Sequence, residues 1–178
     1  CSLSELGEGD NHEGIIQVDQ KFAIGTKAAE VFGLDDTLIE LAITPNRGDA
    51  CSVYGIAREL AANNIGKLKT IKPDNATANF DSKTTITNQN DAIFKQFNLI
   101  EITGIKNTES PDWLKQRLSS VGITPKSAII DITNYFCLAY GQPMHCYDKD
   151  KISGGFKLEA LAGNEDFTAL GGEEYKLE

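Results

Sequence analysis

DITNYFCLAYGQPMHCYD, residues 131–148, is the stretch that decides the fold around one of the chain's two histidines. Asp131 has a side chain suited to the N-cap of a short helix over residues 133–140, which Gly141 would end. The Gln-Pro pair that follows is typical of a sharp turn. We therefore expect His145 at a rigid corner just beyond the helix, with the helix returning polar side chains toward it.

Four interpretations of this corner are open from its residues alone. Thr133, Asn134 and His145 could line a polar pocket that holds a small substrate. His145 could instead be the base for a thiol of Cys137 or Cys146, although neighbouring residues of an extended segment point to opposite sides. A zinc site built from the same histidine and thiols would lack an evident fourth ligand. The fourth interpretation is a buried histidine whose ring is satisfied by backbone groups.

The composition combines an ordinary hydrophobic content with an acidic balance. The 178 residues are 40% hydrophobic, which is enough for one large domain or two small ones. The formal net charge of −9 gives no general attraction for nucleic acid, so any contact with RNA must be local or made by a partner. No apolar run approaches the roughly 20 residues of a membrane span. The four cysteines lack CxxC spacing and no signal peptide precedes them, which predicts free thiols in a reducing cytoplasm.

Apolar periodicity and turn residues predict the other elements. Strands are expected at residues 14–18, 38–43, 84–87, 97–104 and 156–161, a hairpin over 167–177 turning at Gly171-Gly172, and helices at 50–63 and 111–121. Asp49 or Ser52 is predicted to cap the first of these helices, and Ser110 the second. The polar residues 66–91 are interpreted as a linker. The residues alone therefore indicate two α/β pieces separated by that linker.

The turn TPNRGD, residues 44–49, precedes the first of these helices and has two interpretations. Asn46, Arg47 and the helix amides could bind phosphate or a nucleic-acid backbone, because a helix N-terminus favours anions. Alternatively the segment is only a turn and a helix cap, since Arg47 beside Asp49 is nearly neutral.

Four segments of the chain, taken in order, carry a resemblance to a known family. They are CSLSELG at residues 1–7, ELAITPNRGDACSVYGIARELA at 40–61, IIDITNYFCLAYGQPMHCYDKDKISGG at 129–155 and FTALGGEEYKL at 167–177. TNY followed by GQPMH at this spacing is the most specific of their motifs. Together the segments resemble the β subunit of bacterial phenylalanyl-tRNA synthetase over the whole chain.

The resemblance implies an α+β fold, with a small mixed α/β unit followed by a larger, incomplete mixed-sheet editing domain. Residues 1–30 would end a tRNA-binding OB-fold module, and residues 31–70 would be the second part of a split N-terminal α/β domain. Residues 71–178 would be the first part of the editing domain. The chain is accordingly expected to be an internal segment of a longer subunit.

The same resemblance implies a function and the residues that serve it. The family attaches phenylalanine to its tRNA using ATP, and its editing domain hydrolyses tyrosine mistakenly attached to that tRNA. Carried over by motif, Thr133 and Asn134 match polar residues of the editing pocket, and His145 matches the histidine that helps position the ester and the attacking water. No resident metal, cofactor or covalent nucleophile is implied in this segment, because the family's ATP and magnesium sites lie elsewhere.

The resemblance also implies partners. The family's β subunit assembles with an α subunit into a heterotetramer that binds tRNA for phenylalanine in the cytoplasm, without DNA or a membrane. The glutamate that reads the tyrosine hydroxyl would lie beyond Glu178, and Thr124 stands where relatives often have a basic residue. Hydrolysis by this segment alone is therefore not expected. The alternative from another class is a non-catalytic structural or interaction module.

The charge balance leads to a testable expectation for RNA affinity. Affinity for nucleic acid comes mainly from neutralising phosphates with Lys and Arg, so a chain of net charge −9 with only the end of an OB module should not bind tRNA tightly. In a filter-binding titration at physiological salt we expect no saturation at submicromolar concentrations of the chain. Submicromolar binding that weakens with added salt would contradict this expectation.

Overall fold

Short helices and strands follow one another in the computed structural model, which describes residues 2–6, 9, 11–18, 22–74, 76–161, 163–169 and 171–177. The helices are α1 (Ala28–Val31), α2 (Val53–Ala62), α3 (Asp112–Ser119) and α4 (Ala128–Tyr140), with 3₁₀ turns at Ser4–Leu6, Gly48–Ala50 and Lys149–Lys151. The strands are β1 (Ile86–Asn88), β2 (Phe156–Leu158), β3 (Glu165–Thr168) and β4 (Glu174–Leu177). This mixture of helices and small sheets is compatible with the predicted α+β class, while the boundaries at residues 30 and 70 stay predictions. Within the described ranges, no helix has both the length and the apolar character that crossing a membrane requires.

The parallel pair of β1 and β2 joins segments that are far apart in sequence. Ile86 lies opposite Phe156 in this pair. Because parallel strands need a long crossover, the intervening chain carries α3 and α4 from one strand to the other. The end of segment 66–91, predicted as a linker, is therefore part of a sheet, close to the weak strand predicted at 84–87.

The antiparallel pair of β3 and β4 is a local hairpin. Glu165 lies opposite Leu177, which confirms the hairpin predicted for this part of the chain. Its connection is longer than the predicted two-residue turn at Gly171-Gly172, since the Ala169 N–H donates to Glu173 O at 2.8 Å.

The deepest burial of apolar side chains is found on α3, which packs against α4. Leu114 and Leu118, one turn apart on α3, are 2% and 0% exposed. The rings of Trp113 on α3 and Tyr135 on α4 meet edge to face, with centroids 5.5 Å apart. The apolar period that predicts α3 therefore buries two leucines and leaves Trp113 half-exposed at the contact with α4.

α2 lies within the predicted range and is capped by Ser52. The Ser52 hydroxyl accepts a hydrogen bond from the Gly55 N–H at 2.9 Å. Asp49, the alternative cap, instead pairs with Arg47 at 3.0 Å and with Arg58 at 2.6 Å. Of the two candidate caps, Ser52 is therefore confirmed and Asp49 is not used.

Three predicted strands are wrong. Residues 14–18, 38–43 and 97–104 form no strand in the structure. Apolar alternation produces a strand only if a neighbouring strand supplies backbone partners, and within the described ranges none pairs with these segments. Their apolar side chains consequently face solvent, as Ile39 and Ile100 show with exposures of 69% and 80%.

Two predicted helix caps are also wrong. Pro111, and not Ser110, occupies the N-cap position of α3, and α4 begins after Ser127, one turn before Asp131. The physical reason is the same in both cases: the Ser110 and Asp131 side chains bond to each other across the helix pair instead of capping their own helices.

Removing the Ser52 hydroxyl should weaken α2. Ser52→Ala leaves the Gly55 N–H without its acceptor and is expected to lower the free energy of unfolding by about 1 kcal/mol. Asp49→Ala breaks only exposed ion pairs and should lower it by less. Urea denaturation followed by circular dichroism compares these variants with Ser52→Thr, the matched control that keeps the hydroxyl. Equal stability of Ser52→Ala and the parent chain would show that α2 does not depend on this cap.

Candidate functional site

α4 carries two of the predicted site residues and ends in a turn that requires glycine. Gly141 has a φ of +72°, a left-handed conformation that glycine adopts without strain, and its N–H donates to Cys137 O at 2.9 Å. A Cβ at Gly141 would lie 3.2 Å from Ser52 Oγ, and the rings of Tyr140 and Tyr54 lie 6.5 Å apart. The predicted helix end is confirmed, and contact with α2 fixes the direction in which the chain leaves α4.

The start of α4 is capped by a segment that precedes α3. The Ala128 N–H donates to Thr108 O at 2.8 Å, and the Ile129 N–H donates to Asn107 Oδ1 at 3.2 Å. The Asn107 amide also donates to Ser127 Oγ at 3.1 Å. These bonds satisfy N–H groups that have no partner within the helix, so α4 can begin earlier than its local sequence predicts.

Asp131, in the first turns of α4, is a fully buried carboxylate. Its Oδ2 accepts from Ser110 Oγ at 2.5 Å, and its Oδ1 accepts from the Lys126 N–H at 2.9 Å. Burial alone raises the pKa of Asp131, but hydrogen bonds from Ser110 and from the backbone of Lys126 and Ser127, with Lys115 nearby, hold that pKa below its ordinary value. Because the folded-state pKa is lowered, this stabilisation acts above the ordinary aspartate pKa and is lost as the pH falls through the lowered one.

Thr133 and Asn134 lie in the middle of α4 and are half-buried. The Thr133 hydroxyl donates to Ile130 O at 2.7 Å, so its lone pairs remain to accept a hydrogen bond. Consecutive helical residues point about 100° apart around the axis, so the two side chains diverge. The structure thus places them next to each other along the helix without joining them in one cluster.

His145 is exposed, as are the residues on both sides of it. Its ring lies 6.3 Å from the ring of Tyr147, and no hydrogen bond within the described part of the chain joins it to Thr133 or Asn134. This exposure contradicts the interpretation of a buried histidine satisfied by backbone groups. A solvent-accessible imidazole is what a hydrolytic role requires, and that role stays a prediction.

The three cysteines that the structure describes form no metal-binding cluster with the histidine. Cys51, Cys137 and Cys146 are free thiols, and all three are exposed. Within the ranges given above, no group of three His, Cys, Asp or Glu side chains is arranged to hold a metal ion. The zinc interpretation of Cys137, His145 and Cys146 therefore finds no support in the geometry.

The TPNRGD turn uses its arginine internally. Arg47 binds Asp49 through Nε at 3.0 Å and Glu59 through Nη2 at 2.5 Å, while Arg58 binds Asp49 at 2.6 Å. Carboxylates within the same unit thus already compensate the guanidinium that would have met a phosphate. This arrangement favours the turn-and-cap interpretation over anion binding.

Sequence patterns did not predict the aromatic path, a series of ring contacts that leads from His145 to the parallel sheet. Tyr147 packs on Phe156 of β2 with ring centroids 5.4 Å apart, and Phe156 packs on Phe97 at 6.0 Å. These rings come from separate segments, so no local period indicates their contact. The path holds the segment after His145 against β2 and leaves the imidazole itself accessible.

A groove of about 380 Å³ lies beside β1, and its lining includes none of the predicted site residues. Its lining consists of Lys83, Thr84, Thr85, Lys149, Ile152, Gly154 and Gly155. Thr85 Oγ1 donates to Gly154 O at 2.9 Å, and a Cβ at Gly155 would overlap Thr85 O. Lys149 hydrogen-bonds Glu101. This hydrogen bond is the largest of several causes that together lower the pKa of the Glu101 carboxyl. One groove lysine is thus already neutralised, and the close backbone approach at Gly155 is the feature that shapes the groove.

Comparison with known proteins confirms the resemblance. Residues 94–178 match the B3/4 domain family. The chain is 44% identical over 177 residues to the phenylalanine–tRNA ligase beta subunit of Gluconobacter oxydans, an alignment that covers 99% of this chain and 21% of that protein. It is 41% identical over 182 residues to the corresponding subunit of Cereibacter sphaeroides (99% and 22% covered), and 42% over 159 residues to that of Rickettsia bellii (89% and 18%). The chain thus spans about a fifth of the length of the relatives it matches.

The close approach at Gly155 gives a prediction for the parallel sheet. Gly155→Ala should weaken the β1–β2 pair, because the added Cβ would overlap Thr85 O, whereas the space around Gly154 is open. Both glycines have positive φ, +98° and +81°, so Gly154→Ala controls for backbone strain. We expect Gly155→Ala to lower the free energy of unfolding by about 1–3 kcal/mol more than Gly154→Ala. Equal losses in urea denaturation would mean that this contact does not form.

Proposed function

We propose that this chain, which belongs to the phenylalanine–tRNA ligase beta-subunit family, supplies part of an editing site that hydrolyses tyrosine wrongly esterified to tRNA. The observation that carries the proposal is the exposed imidazole of His145, held just beyond the glycine-capped end of α4. α4 itself presents Thr133 and Asn134, and the accessible imidazole lies in the segment that follows the turn at Gly141.

The chemistry of ester hydrolysis suits these three side chains. It needs an oriented water and a hydrogen-bond donor for the oxygen on which negative charge develops. His145 is open to both water and a large ester, and it can orient the water and take up its proton. The lone pairs of Thr133 can accept from the substrate, and the Asn134 amide can donate to the ester carbonyl. The water oxygen then bonds to the ester carbonyl carbon, and the bond between that carbon and the tRNA oxygen breaks. The imidazolium returns its proton to the tRNA oxygen, so that tyrosine and a tRNA hydroxyl are released.

A ligase that attaches phenylalanine has a physical reason to contain a second site, which hydrolyses wrong products. A hydrophobic synthetic pocket cannot strongly reject an analogue that only adds a hydroxyl, so tyrosine is an expected error. Hydrolysis at a separate polar site supplies the discrimination that binding lacks. Half-buried polar side chains on α4 and an exposed histidine in the segment that follows this helix are consistent with such a site.

The relatives' names support the wider setting of the proposal. They are beta subunits of phenylalanine–tRNA ligase, so we place this chain within a longer subunit that pairs with an alpha subunit. The heterotetramer and the cytoplasmic location are carried over from the family resemblance. Phenylalanine tRNA would be the macromolecular ligand, and ATP and magnesium would serve aminoacylation outside this segment. Residues 94–178 match one domain family, B3/4, and we assign this part of the chain to the editing domain that the resemblance implies.

A structural or interaction module is the second candidate, and the exposed apolar side chains favour it. Ile15, Ile24 and Ile100 are 84%, 108% and 80% exposed. Burying such side chains against another protein would remove apolar area from water, which favours association. One chain can serve both roles, but only the editing proposal requires His145 to affect hydrolysis.

Replacing His145 should separate the two activities of the complete ligase. In the full-length β subunit assembled with its α partner, His145→Ala is expected to slow deacylation of tyrosyl-tRNA about ten- to a thousandfold, a usual range for one acid–base or orienting group. Aminoacylation with phenylalanine should stay near the wild-type rate, because the proposal assigns that reaction to another site. Both rates are measured side by side on the purified enzyme.

The chain's other histidine provides the matched control. His12 is also exposed, and His12→Ala should leave deacylation unchanged. If His145→Ala deacylates tyrosyl-tRNA at the wild-type rate, this residue has no part in the mechanism and the proposal is wrong on this point. Loss of both activities would indicate damage to the fold, and His145→Gln would then be compared as the variant that keeps the volume of the side chain.

A further inference from the structure

A buried carboxylate connects three segments around the start of α4. Asp131 Oδ2 accepts from Ser110 Oγ at 2.5 Å, and Oδ1 accepts from the Lys126 N–H at 2.9 Å. Asp131 is 0% exposed and Ser110 is 4% exposed, so the carboxylate and its hydroxyl donor are both shielded from water. A buried charge persists only where hydrogen bonds replace its hydration, and here they come from two separate segments.

The two donors lie on either side of α3. Ser110 stands just before this helix, and Lys126 lies in the connection from α3 to α4. One carboxylate therefore joins the residue that precedes α3 to the first turns of α4, and it also binds the backbone that leads into α4. Tyr135, one turn beyond Asp131, packs edge to face on Trp113 of α3 at 5.5 Å, so these two α4 residues define the face that meets α3.

We infer that Asp131 is a positioning residue for the proposed editing site, because by fixing the face of α4 that meets α3 it sets where Thr133 and Asn134 project. The inference rests on the proposed function. Thr133 lies about 200° around the helix from Asp131, so it projects away from α3 while Asp131 points into the helix pair. Loosening the carboxylate frees α4 to rotate or shift, and a displacement of about 1 Å is enough to slow a reaction up to a hundredfold.

The test compares three variants and one control variant in the full-length β subunit assembled with its α partner. Asp131→Ala is expected to lower kcat for tyrosyl-tRNA deacylation about ten- to a hundredfold, with a smaller change in KM and unchanged aminoacylation. Asp131→Asn keeps an oxygen that accepts from the Lys126 N–H and should recover most of the rate. Ser110→Ala removes the other bond and should lower kcat by less than Asp131→Ala. Asp112→Ala, which removes an exposed carboxylate in the first turn of α3, is the control and should leave kcat unchanged.

A purely structural role of Asp131 predicts different results. The melting temperature would fall, but kcat per folded enzyme, measured well below that temperature, would stay at the wild-type value in Asp131→Ala, and that result overturns the inference. If Asp131→Ala does not fold, Ser110→Ala decides: a lowered kcat with normal aminoacylation supports the inference, and a wild-type kcat overturns it.

His145→Ala, measured alongside, separates this inference from the proposed function. If His145→Ala slows deacylation and Asp131→Ala does not, the inference is wrong and the proposed function stands. If neither variant slows deacylation, the proposed function fails and the inference fails with it.

Discussion

The buried carboxylate of Asp131 is the constraint on which the best-packed part of the structure depends. A charge removed from water must be compensated by hydrogen bonds, and here the Ser110 hydroxyl and the Lys126 amide supply them. Both donors reach the carboxylate only if the start of α3 and the α3–α4 connection lie against the first turns of α4. The two fully buried leucines, Leu114 and Leu118, belong to this same helix pair, so apolar burial and charge compensation act together.

α4 extends this constraint to the rest of the candidate site. Near its C-terminal end, Tyr140 packs on α2, and Gly141 lies close to Ser52, the cap of α2. Beyond the turn, Tyr147 packs on Phe156 of β2. The corner that carries the histidine is therefore held at a helix end on one side and at a sheet on the other, while the imidazole stays exposed. A fixed backbone with an accessible ring is the combination that positioning of an ester and a water requires.

Short sequence patterns predict those parts of the fold that depend on interactions within a few residues. The Ser52 cap and the helix end at Gly141 both follow from backbone conformation within a few residues. The predicted caps at Ser110 and Asp131 are wrong, because both side chains bond across the helix pair, a contact that no spacing in the sequence reveals. The alternating segments that form no strand have no partner strand among the residues that the structure describes. The site residues could be named from motifs of the resembling family, and the turn that precedes His145 could be predicted. The exposure of His145 and its aromatic neighbours depend on tertiary contacts and could not be predicted.

Hydrogen–deuterium exchange at the junction of α3 and α4 tests most directly whether the Asp131 carboxylate holds this arrangement. In the complete subunit at neutral pH, peptides over residues 122–131 should exchange slowly, because the Lys126 N–H is bonded to the carboxylate and α4 begins within this stretch. In Asp131→Ala the same peptides should exchange faster, while peptides from the hairpin over residues 165–177 keep their rates. Equal exchange over residues 122–131 in the two proteins would contradict the account.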